Sequence, residues 1–332
     1  MEPKVSVIIP NYNYSRFLED RIESVLGQTF QDFEVILLDD CSTDDSVSVL
    51  DRYRSHPKVA AVVVNEENSG SPFQQWEKGL AMARGKYIWI AEADDCAAER
   101  FLERTVEAIE SDVDVALVKT MSELIDENGQ KGAREYFEEY EPDGRIRIYD
   151  GDEFLRENML RWNYCYNASM MLFRRDVWEA LTEKPYLKMR YVGDWLFWGM
   201  LMAGHKIGDV SERLSSFRFH GHSVTDEAYT CSKSDAEVQI VLARFLDMLP
   251  ADSSGKKFFM RYQFDKLLRR DKFSCIRTEI QRIDPDFGRR FKLSALKYPF
   301  YWIYKHLIWS VPGKASKREG MPRPLSIIEP HT

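Results

Sequence analysis

Short apolar runs recur through the first hundred residues of the chain and alternate with segments of helical periodicity. The runs, each short enough for a strand that is buried on both faces, cover residues 5–10, 33–38, 59–64 and 87–91. Between them, apolar residues recur at helical spacing in segments such as 16–26 and 74–84. Strands separated by helices form right-handed βαβ units. The pattern therefore predicts an α/β fold, with a mostly parallel sheet flanked by helices.

The pattern is less regular after residue 110. A strand is predicted over 113–118, the uncharged aromatic segment 162–173 is strand-like, and an apolar helix is predicted over 196–203. Amphipathic helices are predicted over 235–249 and 256–270. We expect four parts: a first half (1–110) and a second half (111–225) of one domain (1–225), a basic and aromatic helical appendage (226–312), and a flexible tail (313–332) rich in Pro, Gly and Ser.

The composition is that of an ordinary globular protein. Of 332 residues, 44% are hydrophobic and 30% are charged, which suits a packed core. No run is long and apolar enough to predict a membrane-spanning helix. The five cysteines are far apart, and none forms a CxxC pair, which disfavours a disulfide framework or a cysteine zinc site. The N-terminus has no basic, apolar leader, so we expect a cytoplasmic location.

Charge is distributed unevenly along the chain. The net charge is −8, but residues 256–332 carry 18 Lys and Arg against 7 Asp and Glu. Within this region, residues 289–309 mix Lys and Arg with Tyr, Trp and Phe, a mixture typical of the lipid headgroup region. Two interpretations stay open: peripheral contact with the inner face of a membrane, or packing against the acidic body. No nucleic-acid module accompanies the basic residues, so nucleic acid is not an expected partner.

Polar and acidic residues follow three of the four predicted strands. They are Pro10-Asn11-Tyr12-Asn13, Asp39-Asp40 and Glu92-Ala93-Asp94-Asp95, and the loop 68–72 follows the other strand. A single acidic pair is usually a helix cap or a turn. Several at the carboxyl ends of parallel strands favour a ligand site, because such ends meet at one edge of the sheet.

The acidic residues at this edge suit a particular chemistry. Carboxylates favour Mg²⁺ or Mn²⁺, and Mg²⁺ is often held by one or two carboxylates together with substrate phosphates. Asp94 and Asp95 fit that arrangement, and the metal would neutralise the charge on a departing diphosphate. Asp40 can accept a hydrogen bond from a base N–H, and Tyr12 offers a ring for the base to stack on. The edge is therefore expected to bind a nucleoside diphosphate with a divalent metal.

Four motifs resemble the nucleotide-sugar half of glycosyltransferase family 2, which has the GT-A fold. They are VSVIIPNYN (5–13), LDDCSTDDS (38–46), NSG (68–70) and ARGKYIWIAEADD (83–95). Weaker likenesses, GDWLFW (193–198) and FRFHGHS (217–223), extend the resemblance to about residues 4–225. The resemblance implies metal-dependent (Mn²⁺ or Mg²⁺) inverting transfer of a sugar. The implied donor is a nucleoside diphosphate sugar, UDP-linked by expectation, and the acceptor is a hydroxyl of a glycan or a lipid-linked molecule.

The resemblance also implies roles for individual residues of this chain. Asp194 matches the catalytic base, although the residues alone favour its being the N-cap of the following helix. His220 matches a histidine near the diphosphate or the metal. The implied nucleotide-binding residues are Pro10, Tyr12, Asp40, Lys78 and Asp94, and the implied metal ligands are Asp94, Asp95 and His220.

The chain departs from the family pattern in two places. Glu92 stands where the pattern has Asp, and the Arg-Asn pair ahead of the glycine that matches Gly79 is replaced by the segment 74–78. Lys78 is the expected substitute for the missing Arg. These departures keep open an alternative, a catalytically inactive nucleotide-binding scaffold of a glycan-assembly complex. A nucleotidyltransferase would need a Gly-rich loop after the first strand, and residues 11–16 contain no Gly.

Overall fold

The structure is a computed structural model that describes residues 2–132, 141–220, 232–249, 270–289 and 324–330. Within this part of the chain, ten strands form one sheet. They are β1 (Val5–Asn11), β2 (Phe33–Asp39), β3 (Val59–Val64), β4 (Tyr87–Ile90), β5 (Cys96–Ala97), β6 (Val115–Ile125), β7 (Ile146–Asp150), β8 (Met171–Arg174), β9 (Lys206–Arg218) and β10 (Ser326–Ile328).

Helices cover both faces of the sheet. The α-helices are α1 (Ser15–Leu26), α2 (Ser46–Tyr53), α3 (Pro72–Met82), α4 (Phe101–Glu110), α5 (Gly151–Phe154), α6 (Arg175–Glu179), α7 (Gly193–Met202), α8 (Ser232–Met248) and α9 (Arg270–Ile283). Shorter turns of π- or 3₁₀-helix cover Leu155–Met159, Ala168–Met170 and Pro185–Lys188.

The strand order explains where a ligand can bind. The order is β10-β7-β9-β6-β8-β4-β1-β2-β3, with β5 paired to β9. The run β3-β2-β1-β4 is parallel, as is the β6–β9 pair, and the other pairs are antiparallel. Since β2 and β4 lie on opposite sides of β1, the connections diverge there and leave a crevice at the carboxyl ends of the strands. The predicted fold class is therefore confirmed.

Two apolar clusters sandwich the sheet. One packs α1, α2 and α4 against one face of β1 and its neighbours. The other packs α3 and α7 against the opposite face and includes side chains of α8 and α9. The predicted C-terminal helical appendage is thus present in its described part, and it is joined to the second cluster. A Cβ atom on Gly199 of α7 would overlap the ring of Phe245 in α8, so these two helices approach closely.

Two local predictions are wrong for identifiable reasons. Segment 162–173 is strand only from Met171, because the side chains of Asn163 and Asn167 accept hydrogen bonds from backbone N–H groups two residues ahead and form turns. The sequence Ser42-Thr43-Asp44-Asp45 predicts a helix start with Ser42 or Thr43 as the cap, but helix α2 begins at Ser46. The Ser42 hydroxyl oxygen instead accepts the backbone N–H of Asn13 at 2.8 Å and the side-chain amide of Asn11 at 3.2 Å, so it does not cap a helix.

The flexible tail predicted over 313–332 contains a strand in its described part, residues 324–330. Ser326–Ile328 form β10, which pairs antiparallel with β7 at the edge of the sheet. The aromatic and basic segment 289–309 lies outside the described residues except for Arg289, so the membrane interpretation stays a prediction. In the described part of the chain, no helix is long and apolar enough to cross a bilayer.

Candidate active site

A cavity of about 780 Å³ opens where β1, β2 and β4 end. Its volume is within the range of small-molecule sites, roughly 300–1,000 Å³. Six of the residues expected from the sequence line it: Pro10, Tyr12, Asp40, Asp94, Asp95 and Asp194. Lys78 and His220 are not among the lining residues. The cavity thus brings together groups that are up to 184 positions apart in the chain.

The Asp40 carboxylate is buried at the end of β2 and is held by several donors. Its Oδ1 atom accepts the side-chain amides of Asn65 and Gln75, each at 2.7 Å, and the Ser69 backbone N–H at 2.9 Å. Among the described residues, Oδ2 accepts one bond, from the Ser69 hydroxyl at 2.7 Å. Each carboxylate oxygen has two lone pairs, which the three donors around Oδ1 share. Oδ2 therefore keeps one acceptor position for a ligand in the cavity.

Of the two residues Tyr12 and Lys78, both expected to bind the nucleotide, only Tyr12 lines the cavity. Tyr12 follows β1, lines the cavity and is 46% exposed, so its ring is accessible to a ligand. Lys78, in α3, donates to the side-chain oxygen of Asn65, which in turn donates to Asp40. Lys78 therefore supports the residues behind Asp40 instead of lining the cavity.

The acidic loop after β4 is supported from beneath by a buried arginine. The Arg21 side chain, in α1, donates to the backbone oxygen of Glu92 at 2.8 Å and to the Ser169 hydroxyl at 3.0 Å. The Ser169 hydroxyl also accepts the backbone N–H of Glu92 at 3.0 Å. The Glu92 carboxylate accepts the Trp76 indole N–H at 2.8 Å. Burial, and then the charge of Asp94, raise the pKa of Glu92 to about 8.

Asp95 is buried between two arginines. Its Oδ1 atom accepts the backbone N–H of Arg218 at 3.0 Å, and its Oδ2 atom lies 3.9 Å from Nη2 of Arg21. Among the described residues, Oδ2 has no hydrogen-bond partner. Burial, and then the charge of Asp94, raise the pKa of Asp95 to about 7. The Arg218 side chain donates to the backbone oxygen of Asp94 at 2.7 Å, which fixes the loop from the other side.

Asp94 and His220 are spaced as two ligands of one cation would be. The Nε2 atom of His220 lies 3.0 Å from Oδ2 of Asp94, and the rings of Tyr14 and Phe17 are each centred 5.3 Å from the imidazole. Two ligands about 2.1 Å from an octahedral cation, at right angles to each other, are about 3 Å apart. No group of three or more His, Cys, Asp or Glu side chains in the described residues is arranged to hold a metal. A cation here would therefore need oxygens of the substrate or of water as well.

Asp194 enters the cavity from the first turn of α7. The N-cap of this helix is Val192, so the N-cap interpretation of Asp194 is wrong. Its Oδ2 atom accepts the Asn163 side-chain amide at 3.0 Å, and the Asn163 oxygen accepts the Cys165 N–H at 3.1 Å, which orients the amide. Burial is the largest cause that raises the pKa of Asp194 to about 7, and the charge of Glu237 adds to it. A carboxylate with this pKa is suited to general-base work near neutral pH.

Arg190 is the basic side chain in the cavity wall. It lies just before α7, and its Nη1 atom donates to the backbone oxygen of Gly70 at 3.1 Å. The other charged side chains that line the cavity in the described part of the chain are acidic: Asp40, Glu92, Asp94, Asp95 and Asp194. An anionic ligand would therefore need Arg190, a cation, or both.

Several residues of the site were not anticipated from the sequence. The sequence does mark Arg21 as unusual, because it shares the apolar face of α1 with Phe17 and Ile22, where a charged residue is unexpected. Nothing in the sequence marks Asn163 or Ser169 as site residues, because polar residues in an irregular segment are common. Arg218 lies within the FRFHGHS motif between two aromatic residues, but its role depends on a contact 123 positions away.

Comparison with known proteins is consistent with this geometry. The family model described as glycosyl transferase family 2 matches residues 6–182, more than half of the chain. Glycosyltransferase GlyG of Streptococcus pneumoniae is 35% identical over 118 residues, which are 35% of this chain and 39% of GlyG. The chain thus spans well under half of that relative's length.

Two solved structures share the fold. S. aureus TarS 1-349 in complex with UDP-GlcNAc superposes with a TM-score of 0.65 at 16% identity, covering 91% of this chain and 92% of that one. The mannosyltransferase PcManGT of Pyrobaculum calidifontis, in complex with GDP-Man and Mn²⁺, gives a TM-score of 0.55 at 16% identity, covering 92% and 83%. With the family match over more than half of its length, this chain belongs to glycosyltransferase family 2.

Proposed function

We propose that this glycosyltransferase carries out an inverting, metal-dependent transfer of a sugar from a UDP-sugar to a hydroxyl of a glycan or lipid-linked acceptor. The observation that carries the proposal is the cavity, whose lining combines Asp40, Asp94 and an Asp194 whose pKa is about 7, with His220 in contact with Asp94 from outside the lining. Each group suits one part of the reaction.

The nucleoside end of the donor is assigned to the edge formed by β1 and β2. The free acceptor position on Oδ2 of Asp40 suits the imide N–H of uracil, and the exposed ring of Tyr12 suits stacking on the base. Pro10 contributes an apolar wall. Uracil is preferred over guanine in the proposal because uracil offers a single N–H donor, whereas guanine offers its ring N–H and the adjacent exocyclic amine together.

The diphosphate is assigned to the acidic loop and to Arg190. Asp94 and His220 would hold Mn²⁺ or Mg²⁺, which when bound would neutralise charge on the leaving diphosphate. Asp95 is the less exposed carboxylate, and its contacts with Arg21 and Arg218 suit it to hold the loop in place. Arg190, which also lines the cavity, supplies a positive charge and can donate to a phosphate oxygen.

The acceptor is assigned to the neighbourhood of Asp194. Its carboxylate takes the proton of the acceptor hydroxyl as the oxygen forms its bond to the anomeric carbon. The bond from that carbon to the diphosphate oxygen breaks with its electron pair leaving on the nucleotide. Attack from the face opposite the leaving group inverts the anomeric centre. Asn163 keeps the base oriented through its hydrogen bond.

The direct test measures nucleotide release from UDP-, GDP- and dTDP-sugars with Mn²⁺, with Mg²⁺ and with EDTA. We expect release from a UDP-sugar that requires the metal, and faster release when an acceptor is added. Tight UDP binding by calorimetry with no release under any condition would favour the inactive scaffold instead. Release from a GDP- or dTDP-sugar alone would overturn the assignment of uracil to Asp40.

Replacing Tyr12 tests the base site separately. Stacking of a base on an aromatic ring contributes about 1–3 kcal/mol, so Tyr12→Ala should weaken UDP binding by roughly 10-fold or more. Tyr12→Phe keeps the ring and should bind UDP within about twofold of the wild type. Calorimetric titration with UDP measures both. Equal affinities for the three proteins would remove Tyr12 from the base site.

The pKa of Asp194 predicts how transfer depends on pH. A base must be deprotonated, and the Asp194 carboxylate loses its proton as pH rises through about 7. The rate at saturating substrates should therefore fall roughly tenfold per pH unit below that value and level off above it. Initial rates from pH 5.5 to 8.5 at saturating metal give the profile. A rate that is flat across this range would contradict the assignment.

A further inference from the structure

We propose that Glu237, in the C-terminal appendage, is the positioning residue that holds segment 190–194 in the conformation needed for transfer. The proposal rests on the proposed function, since it concerns the placement of the base Asp194. It extends the site beyond residues 6–182, which the family model matches, to a helix that the sequence analysis treats as an appendage.

Glu237 makes three hydrogen bonds to consecutive backbone groups. Its buried carboxylate accepts the N–H of Arg190 at 2.8 Å on Oε1, and the N–H groups of Tyr191 at 2.8 Å and Val192 at 3.0 Å on Oε2. These groups immediately precede α7, whose N-cap Val192 makes no side-chain capping bond. The carboxylate thus binds the start of the helix, where the positive end of the helix dipole also favours an anion.

The segment held in this way forms part of the cavity wall. Arg190, Tyr191 and Asp194 all line the cavity, whereas Glu237 does not. Glu237 therefore acts on the site through the backbone that carries these side chains. Displacement of reacting groups by about an ångström can reduce rates a hundredfold, so the hold on this backbone bears directly on catalysis.

Glu237 is buried, which is unusual for a carboxylate that has no structural or functional role. Its helix, α8, places Ala236, Ile240 and Phe245 in the apolar cluster shared with α7. The Glu237 carboxylate is buried beside this cluster, and the charge of Glu279 in α9 also acts on it. A buried carboxylate is costly unless hydrogen bonds compensate for its lost hydration. Here the three backbone N–H groups provide that compensation. The neighbouring helix α9 adds a contact to the same stretch of chain, from Arg282 to the backbone oxygen of Lys188 at 3.1 Å.

The test compares Glu237→Gln with a control on the same helix, Arg244→Gln. Gln replaces one acceptor oxygen with an NH₂ group that cannot accept, so at least one of the three hydrogen bonds is lost. Arg244 pairs with Asp284 at 2.7 Å and with Glu183 at 3.2 Å, and within the described part of the chain it makes no hydrogen bond to segment 190–194. Its replacement loosens the appendage without touching that segment.

Two measurements separate positioning from general stability. Hydrogen exchange followed by mass spectrometry should show amides 190–192 exchanging at least about tenfold faster in Glu237→Gln and unchanged in Arg244→Gln. The transfer rate at saturating substrates, per folded molecule, should fall at least about tenfold in Glu237→Gln and stay within twofold in the control. The acid limb of the pH profile should also move to lower pH in Glu237→Gln, because a negative charge near Asp194 is gone.

Unchanged exchange at 190–192, or equal losses of rate in the two variants, would overturn the proposal. If Glu237→Gln does not fold, Glu237→Asp, which keeps both oxygens on a shorter side chain, is compared in the same way. A wild-type protein that transfers no sugar overturns the proposed function. The exchange measurement reports separately on whether Glu237 holds the segment.

Discussion

Asp194→Asn is expected to reduce sugar transfer by roughly 10²–10⁴-fold, the range over which a general base contributes. Asn has nearly the same shape and still lines the cavity, but it cannot take a proton from the acceptor hydroxyl. Nucleotide binding should stay within about twofold of the wild type, because Asp40 and Tyr12 are on other elements of the fold. Transfer kinetics and calorimetric titration with UDP measure the two effects.

Asp176→Asn is the matched control for this prediction. Asp176, like Asp194, is an acidic residue in the first turn of a helix, but it does not line the cavity. It should keep wild-type transfer within about twofold. Transfer by Asp194→Asn at more than a tenth of the wild-type rate would exclude Asp194 as the base.

Asp94→Asn is expected to remove most of the activation by metal. Asp94 and His220, 3.0 Å apart, are the metal ligands that we propose, and a neutral amide binds Mn²⁺ or Mg²⁺ far more weakly than a carboxylate. We expect transfer at 1 mM Mn²⁺, a chosen assay concentration, to fall by roughly a hundredfold. Raising the Mn²⁺ concentration should recover part of the rate.

The control for the metal prediction is Asp20→Asn. Asp20 also lies near an arginine of the site, 3.8 Å from Nη2 of Arg218, but its side chain is mostly exposed and does not line the cavity. Its replacement removes the same charge and should leave the Mn²⁺ dependence unchanged. A wild-type enzyme that is fully active in EDTA, or an Asp94→Asn enzyme with an unchanged Mn²⁺ titration, would refute the metal assignment.

The strands that carry the proposed nucleotide end of the site could be predicted closely from the sequence. The predicted strand at 5–10 corresponds to β1, and those at 33–38 and 87–91 correspond to β2 and β4 to within a residue. Strands buried on both faces must be apolar throughout, so their ends are marked by the first polar residues. Those polar residues, among them Asp40 and Asp94, then follow as candidates without any contact information.

The second half of the site could not be predicted in the same way. Asp194 was identified through the family resemblance, since an acidic residue at a helix start has an ordinary capping interpretation. Glu237 and Asn163 act through contacts with residues more than 30 positions away, and nothing in their local pattern indicates those contacts. Arg21 shows most clearly that a sequence pattern can mark a residue without indicating its contacts. Its place on an apolar helix face is visible in the sequence, but the loop it supports is 71 positions further on.

The hydrogen bond between Trp76 and Glu92 constrains how this protein can evolve. The two residues lie in the two places where the chain departs from the family pattern, and here they are partners at 2.8 Å. Shortening Glu92 to Asp alone would withdraw the acceptor from a buried indole N–H. Replacing Trp76 alone would leave the carboxylate without its donor and open a gap beside Phe73 and Phe197. Each single step leaves a polar group unpaired at a cost of about 1–3 kcal/mol. The two positions are therefore expected to be epistatic, and a lineage that carries this pair returns to the common pattern most easily by exchanging both residues together.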